Sequence, residues 1–297
     1  VLAPSVSPEH WGWTANFERN RNCTFDIAMA RYTLRAAIEG AMTLGRDPDL
    51  VTRFRAALDL LPDYPCTQAE EPVVVDVEGA PPIDYNIVVP TTPVFPGDLI
   101  TWQSSADERE LFTRTLGAIQ WNGNNSMVML GVARARLDMA GTLDWMREEV
   151  AARLRPNGTL TLNRRGAHFN SFGHYTEQFA ATMVLSELLL QSVDEVIRVF
   201  PAWPRQKEAR FRHLRTQGGF LVSSSCITGC IDSVEVESTV GGPLRLVSPW
   251  RKIAARGSPE IPLRPLTPDA RGIVQVHTRP GDRWTFAEDR REEMSLD

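Results

Sequence analysis

The hydrophobic pattern of the chain changes period at Pro201, and that change limits the possible folds more than any other feature. Before it, apolar residues recur at helical spacing; after it, they alternate or cluster as in strands. Residues 25–44 (FDIAMARYTLRAAIEGAMTL) place Ile27, Ala30, Leu34, Ala37, Ile38 and Ala41 along one face, which predicts an amphipathic helix. Gly45 stops it, and Asp47-Pro48 starts a second helix that runs to about Leu61, where Pro62 and Pro65 end it. Helical patterns return at about 106–118, 123–139, 142–154 and 177–192, with a turn at Pro156-Asn157-Gly158. Residues 66–105 are rich in Pro and Val and have no helical period. A stretch that long is unusual for a connector, so a functional loop with short strands is expected there.

Beyond the change, strands are expected at Phe220–Val222, Ile231–Val240, Leu244–Val247, 273–277 and 283–287, between Gly-rich turns. The expectation is a mainly α chain with a C-terminal all-β module, linked near Pro201-Ala202-Trp203-Pro204. The helical region spans 1–204 and the β module 205–297. Helix pairs with elaborated loops fit a helical toroid; a solenoid would show an internal repeat, and none is visible.

Composition excludes some functions. A formal net charge of -5 over 297 residues, with no Lys/Arg run, speaks against nucleic-acid binding. No stretch approaches the roughly 18 apolar residues of a membrane span. Cys226 and Cys230 flank Ile227-Thr228-Gly229, an expected hairpin turn, and read either as a cross-strand disulfide or as two free thiols. With no His or Cys cluster beside them, neither a metal site nor a cofactor is expected.

Chemistry is concentrated in a few loops. Ser7-Pro8-Glu9-His10-Trp11-Gly12-Trp13 sets a carboxylate among aromatics. Aromatics restrict water access, raise a carboxyl pKa and suit it to proton donation; the plain alternative is an exposed structural glutamate. His168-Phe169-Asn170-Ser171-Phe172-Gly173-His174-Tyr175-Thr176-Glu177 is the densest polar and aromatic cluster and leads into the most apolar helix. Glu177 falls in that helix's first turn, where the dipole favours the carboxylate and suits a general base; equally, Thr176 or Glu177 simply caps the helix. Asp26 opens the first long helix, as a dipole partner or a ligand contact. Trp121-Asn122-Gly123-Asn124-Asn125-Ser126 is another polar loop before a helix. Tyr85, Asn86 and the Pro90–Pro96 segment are candidates to line a cleft.

These motifs come in a telling order: SPE with aromatics, a helix opening on an Asp, VFPGDLI, the polar-aromatic loop joined to SELLLQS, VIRVFPAWP, GGFLVS and PLRLVSPW. Over roughly residues 4–250 the chain resembles the C-terminal half of glycoside hydrolase family 95, the inverting α-L-fucosidases and α-L-galactosidases. The resemblance implies a partial (α/α)6 toroid followed by a β-sandwich. It implies inverting hydrolysis of an α-linked sugar, an α-L-fucoside or α-L-galactoside type, in an oligo- or polysaccharide, without a cofactor. Glu9 falls on the family's general acid, with Glu177 the candidate base and His10, Trp11, Asp26, Asn170, His174 and Thr176 the candidate sugar contacts. Thr176 stands where the family has an acidic residue that assists a water-activating asparagine. The resemblance also implies that the remaining helices come from an N-terminal half or a second subunit, that an isolated fragment is inactive and poorly soluble or dimeric, and that the setting is secreted or extracytoplasmic. Two rivals follow from Thr176 and the helix-rich pattern: a non-catalytic carbohydrate-binding relative that has lost the base, and a helical scaffold that binds protein.

Overall fold

The computed structural model describes residues 1–8, 20–121, 124–161 and 175–290, with the backbone alone for 124–125 and 175–178. The chain divides into two compact units, Val1–Val184 and Leu185–Asp297. The segment Pro201–Pro204 lies inside the second unit. Among the described residues all six α-helices precede the long strands: α1 (Thr24–Leu44), α2 (Pro48–Asp59), α3 (Ala106–Ala118), α4 (Asn124–Arg136), α5 (Thr142–Arg153) and α6 (Tyr175–Leu189). None of them is long and apolar enough to cross a membrane.

The helix ends follow local chemistry. Gly45 adopts φ +63° just past α1, where the Arg46 N–H bonds the Ala41 carbonyl and the Gly45 N–H bonds the Met42 carbonyl. That pair closes the C-terminus with the left-handed residue that glycine supplies without a steric penalty. Ser105 caps α3 reciprocally: Glu108 N–H donates to Ser105 Oγ at 3.2 Å, and Ser105 N–H to Glu108 Oε2 at 3.0 Å. Much of the α1–α2 pair is exposed, including Met42, Leu44 and Leu60, the last 81% accessible.

The Pro- and Val-rich segment 66–105 is part of the first unit's core. Val74, Tyr85, Val88, Val89, Val94 and Ile100 pack with Phe112 and Leu116 of α3 and Leu130 and Ala133 of α4. The segment contains the short strand β1 (Asp84–Tyr85), which pairs in parallel with β2 (Gln120–Trp121). Its Pro and Val content reflects burial in an irregular path. Tyr85 and residues 90–94 are buried, which corrects their reading as cleft-lining groups; Asn86 is exposed. Gly97 is required on steric grounds, since a Cβ there would lie 2.6 Å from the Thr92 carbonyl oxygen. The VFPGDLI turn is held by Arg136 of α4, which pairs with Asp98 and stacks over Phe95 at 5.0 Å.

The second unit is built from strands. A short antiparallel pair, β3 (Leu190–Gln191) and β4 (Arg198–Val199), leads into β5 (Ala209–Thr216), β6 (Phe220–Ile227), β7 (Cys230–Ser238), β8 (Gly242–Val247), β9 (Ile253–Arg256), β10 (Arg264–Leu266), β11 (Ile273–Thr278) and β12 (Arg283–Glu288). Six of these form one antiparallel sheet in the order β10-β9-β12-β7-β6-β5, and β8 pairs with β11. The two groups share a core: Phe211, Phe220, Val222, Val234, Val236 and Phe286 from the large sheet meet Leu244, Leu246 and Val274 from the ribbon.

Strand alternation decides the fate of the two hairpin cysteines. Cys226 faces the core, fully buried, and is opposite Ile231; Cys230 is exposed and opposite Ile227. They are therefore two free thiols on opposite faces of the sheet.

Candidate functional site

The N-terminal segment that leads to Glu9 is pinned by a buried polar cluster where it meets the start of α1. The residue before that helix is Cys23, whose own side chain gives no cap bond. Ser5 does the capping from elsewhere in the chain: its hydroxyl accepts the Cys23 N–H at 3.1 Å and donates to Asp26 Oδ2 at 2.6 Å. Asp26 is the third residue of α1, the position from which a carboxylate usually reaches back to the cap N–H. Here the Ser5 hydroxyl is interposed, so capping the helix and fixing the N-terminal segment are one interaction. The Thr24 N–H finds the Asp76 carbonyl at 2.8 Å, and Thr24 Oγ1 donates to the Val75 carbonyl at 2.6 Å.

Two residues further on, Ser7 donates its hydroxyl to Asp76 Oδ1. A hydroxyl has one proton, so at the 2.9 Å contact between Ser7 Oγ and Cys23 Sγ the thiol is the donor. The chain of bonds runs Cys23 to Ser7 to Asp76. Ser7, Cys23 and Asp76 are all buried, Asp76 to 1% accessibility. A buried carboxylate needs such donors, because an uncompensated one would cost several kcal/mol. Burial pushes the Cys23 thiol up to about 11, and Asp76 adds to the rise. Burial first and then Asp76 raise the Tyr85 phenol further still.

These shifts set thiol behaviour. Between pH 9 and about 11 the unfolded chain ionises Cys23 while the folded chain does not, so stability falls as pH rises through that window. At neutral pH brief alkylation of the native protein is expected to modify Cys230 first, with Cys23 and Cys226 reacting only on unfolding. Peptide mass spectrometry checks this; labelling of Cys23 as fast as Cys230 would contradict the cluster.

A second anchor lies where the chain leads into the other two polar clusters. Arg153 and Glu149 of α5 form an ion pair in which both side chains are 2% accessible. The Arg153 guanidinium stacks over the Trp121 ring at 4.5 Å and donates to the Glu149 carbonyl at 3.1 Å. Burial lowers the Arg153 pKa to about 10, which leaves it charged at neutral pH. The Arg153 carbonyl accepts the Thr161 N–H at 2.9 Å. Trp121 directly precedes Asn122, and Thr161 directly precedes residue 162. The pair thus fixes the chain just before Asn122 and just before residue 162, on the way to His168–Glu177; Asn124–Ser126, read from sequence as part of a loop, already belong to α4.

No family model matches the chain, and no curated protein matches it in sequence.

Of the residues singled out from sequence, Asp26 is seen in full, half-buried and bonded to Ser5. Thr176 and Glu177 are the second and third residues of α6, where the exposed N–H groups of a helix start favour a carboxylate; their side chains lie outside the described residues. Glu9, His10, Trp11, Asn170 and His174 also lie outside them. A concavity of about 510 Å³ beside this region is lined by Asn22, Asp63, Cys66, Gln68 and Glu78, and takes in neither Ser7 nor Asp26. Among the described residues no group of His, Cys, Asp and Glu is placed to hold a metal ion. Sequence reasoning missed Ser5, Ser7, Cys23 and Asp76 as a group. The available signal was Ser-x-Ser-Pro ahead of a carboxylate, a pattern that promises local capping but not a partner 69 residues away.

Proposed function

We propose that the protein is an inverting glycoside hydrolase acting on an α-linked sugar of the α-L-fucoside or α-L-galactoside type, in an oligo- or polysaccharide. The observation that carries this reading is the double pinning of the segment before Glu9, at Ser5 through Asp26 and at Ser7 through Asp76. A proton donor works only if it is held close to the leaving oxygen, and buried hydrogen bonds behind it provide that restraint. In this reading Glu9 protonates the leaving oxygen. Glu177 at the start of α6, or groups from outside the chain, activate water on the opposite face. An inverting pair stands about 6.5–9.5 Å apart to admit that water. Asp26, His10, Trp11, Asn170, His174 and Thr176 hold the sugar.

The architecture that accompanies this function is part of an (α/α)6 toroid built from the helices of the first unit and a β-sandwich built from the strands of the second. The exposed apolar residues Tyr32, Met42 and Leu44 of α1 and Leu60 just after α2 support further helices packing there, from the same chain or a second subunit. The assay is release of the aglycone from aryl α-L-fucosides and α-L-galactosides by the protein with the remaining helices of the toroid in place. Hydrolysis of either is expected. Saturable sugar binding with no release would replace this reading by that of a carbohydrate-binding protein without a base.

A further inference from the structure

The outward face of the six-stranded sheet holds two cross-strand rows of polar side chains. The register sets Ser223 of β6 opposite Glu235 of β7, and Glu235 opposite Thr285 of β12, which is in turn opposite Arg256 of β9. Two residues along each strand, Leu221 is opposite Glu237 and Glu237 opposite Arg283. Side chains two apart share a face, so both rows point the same way, away from the core that Val222, Val234, Val236 and Phe286 fill.

At the β5 end the sheet is bulged. Three steps of β5, from Phe211 to Leu214, are matched against two of β6, from Ser224 to Val222. The extra residue falls at His213, in the left-handed region at φ +52°, and its N–H donates to the Ser223 hydroxyl at 3.1 Å instead of to the ladder. Bulges re-aim side chains, and a non-glycine residue held at positive φ marks a place where geometry has been set at some energetic cost. At the other end Arg256 reaches over to the Pro259 carbonyl at 3.5 Å, bringing Pro259 to the rim. Between these ends lies a concavity of about 340 Å³ lined by His213, Leu221, Ser223, Glu235, Glu237, Pro259, Arg283 and Thr285. That volume is at the lower end of small-molecule sites, which run from about 300 to 1,000 Å³.

The lining selects a ligand class. Glu237 is paired with Arg283 at 3.1 Å. Glu235 has two hydroxyl neighbours across the ladder and no ion pair among the described residues. Glu237 and Arg283 cancel, so the lining keeps a single uncompensated carboxylate, Glu235, the wrong sign for an anion and too little charge to select a polycation. What the groove offers is alternating acceptors and donors beside small apolar surfaces at Leu221 and Pro259. A neutral molecule with several hydroxyl groups matches that pattern, since a carboxylate can accept from two neighbouring hydroxyls at once. We infer that this face of the second unit is a saccharide-binding groove, with Glu235 its principal acceptor. It stands whether or not the chain hydrolyses glycosides.

The test is calorimetry or heteronuclear NMR on the full chain, titrated with L-fucose, D-galactose and lactose, and in parallel with inorganic phosphate and spermidine. Saturable saccharide binding is expected, weakened roughly tenfold by Glu235→Ala, the usual scale for losing one charge-assisted hydrogen bond. Glu235→Gln, which keeps shape and one acceptor, should weaken it less. Turnover of an aryl α-glycoside should be unchanged by Glu235→Ala, which separates this groove from the hydrolase reading. Absence of saccharide binding would overturn the inference. So would binding that Glu235→Ala leaves intact, or a preference for phosphate or spermidine.

Discussion

Replacing Glu9 by glutamine is expected to lower turnover of a natural glycoside by roughly 10²–10⁴-fold while leaving substrate affinity nearly unchanged. Glutamine has the shape of a protonated glutamate and can still accept and donate hydrogen bonds, but it cannot deliver a proton to a departing oxygen. The loss should therefore depend on the leaving group. A sugar alkoxide leaves poorly and needs protonation, so the defect is largest there. A dinitrophenolate leaves without help, so the same variant should hydrolyse that aryl glycoside at close to the wild-type rate. This dependence distinguishes loss of a proton donor from loss of a base or of the fold, either of which would slow both substrates alike. Steady-state kinetics on the two substrates decides the matter, and uniform slowing would remove Glu9 from the acid's role.

The second large effect concerns stability. Glu149→Leu leaves the Arg153 guanidinium buried over Trp121 without its counter-charge, and removing one member of such a pair costs about 3–5 kcal/mol. The double variant Glu149→Leu, Arg153→Met should recover most of that loss, because two apolar side chains of similar volume remove the desolvation penalty together. Urea unfolding of the two variants measures both numbers. A single-variant cost under about 1 kcal/mol, the value for an exposed pair, would mean that the pair is open to solvent. The spacing in sequence, i to i+4, would have suggested just such an exposed helix pair. Burial at 2% is what changes its weight.

That contrast shows where the chain could be read from its sequence and where it could not. The helices α1 to α6 were legible because their signals are local: apolar period, a stopping Gly45, a starting Pro48. Strands β6, β7, β8, β11 and β12 were legible for the same reason, while the short β3, β4 and β10 were not. Strand β5 was not, since ARFRHLRT alternates arginine with apolar residues only as far as the bulge at His213, which breaks the period. Strand β9, Ile-Ala-Ala-Arg, carries little β-propensity and is buried on three consecutive residues, so no alternation marks it. The Pro- and Val-rich segment 66–105 has no regular period at all, yet it supplies much of the first unit's core; its burial depends on α3 and α4, which follow it in the chain.

The candidate site divides the same way. Its residues stand out in sequence as polar and aromatic clusters. What holds them does not. Ser5, Ser7, Cys23, Asp26 and Asp76 are drawn from three separate segments, and nothing in any one of them signals the others. Hydrogen bonds between distant residues are decided by the fold, and the fold brings Asp76 to the N-terminus of α1 by way of the bonds that the Thr24 N–H and hydroxyl donate to the Asp76 and Val75 carbonyls.

The most direct measurement is proton NMR of an aryl α-L-fucoside or α-L-galactoside during its first turnovers by the protein with the toroid's remaining helices in place, before the released sugar mutarotates. The account predicts the β-anomer as the first product, because water attacks the face opposite the bond that Glu9 protonates. An α-anomer formed first would mean a retaining mechanism, and no hydrolysis of either substrate would mean that the chain is not the enzyme proposed.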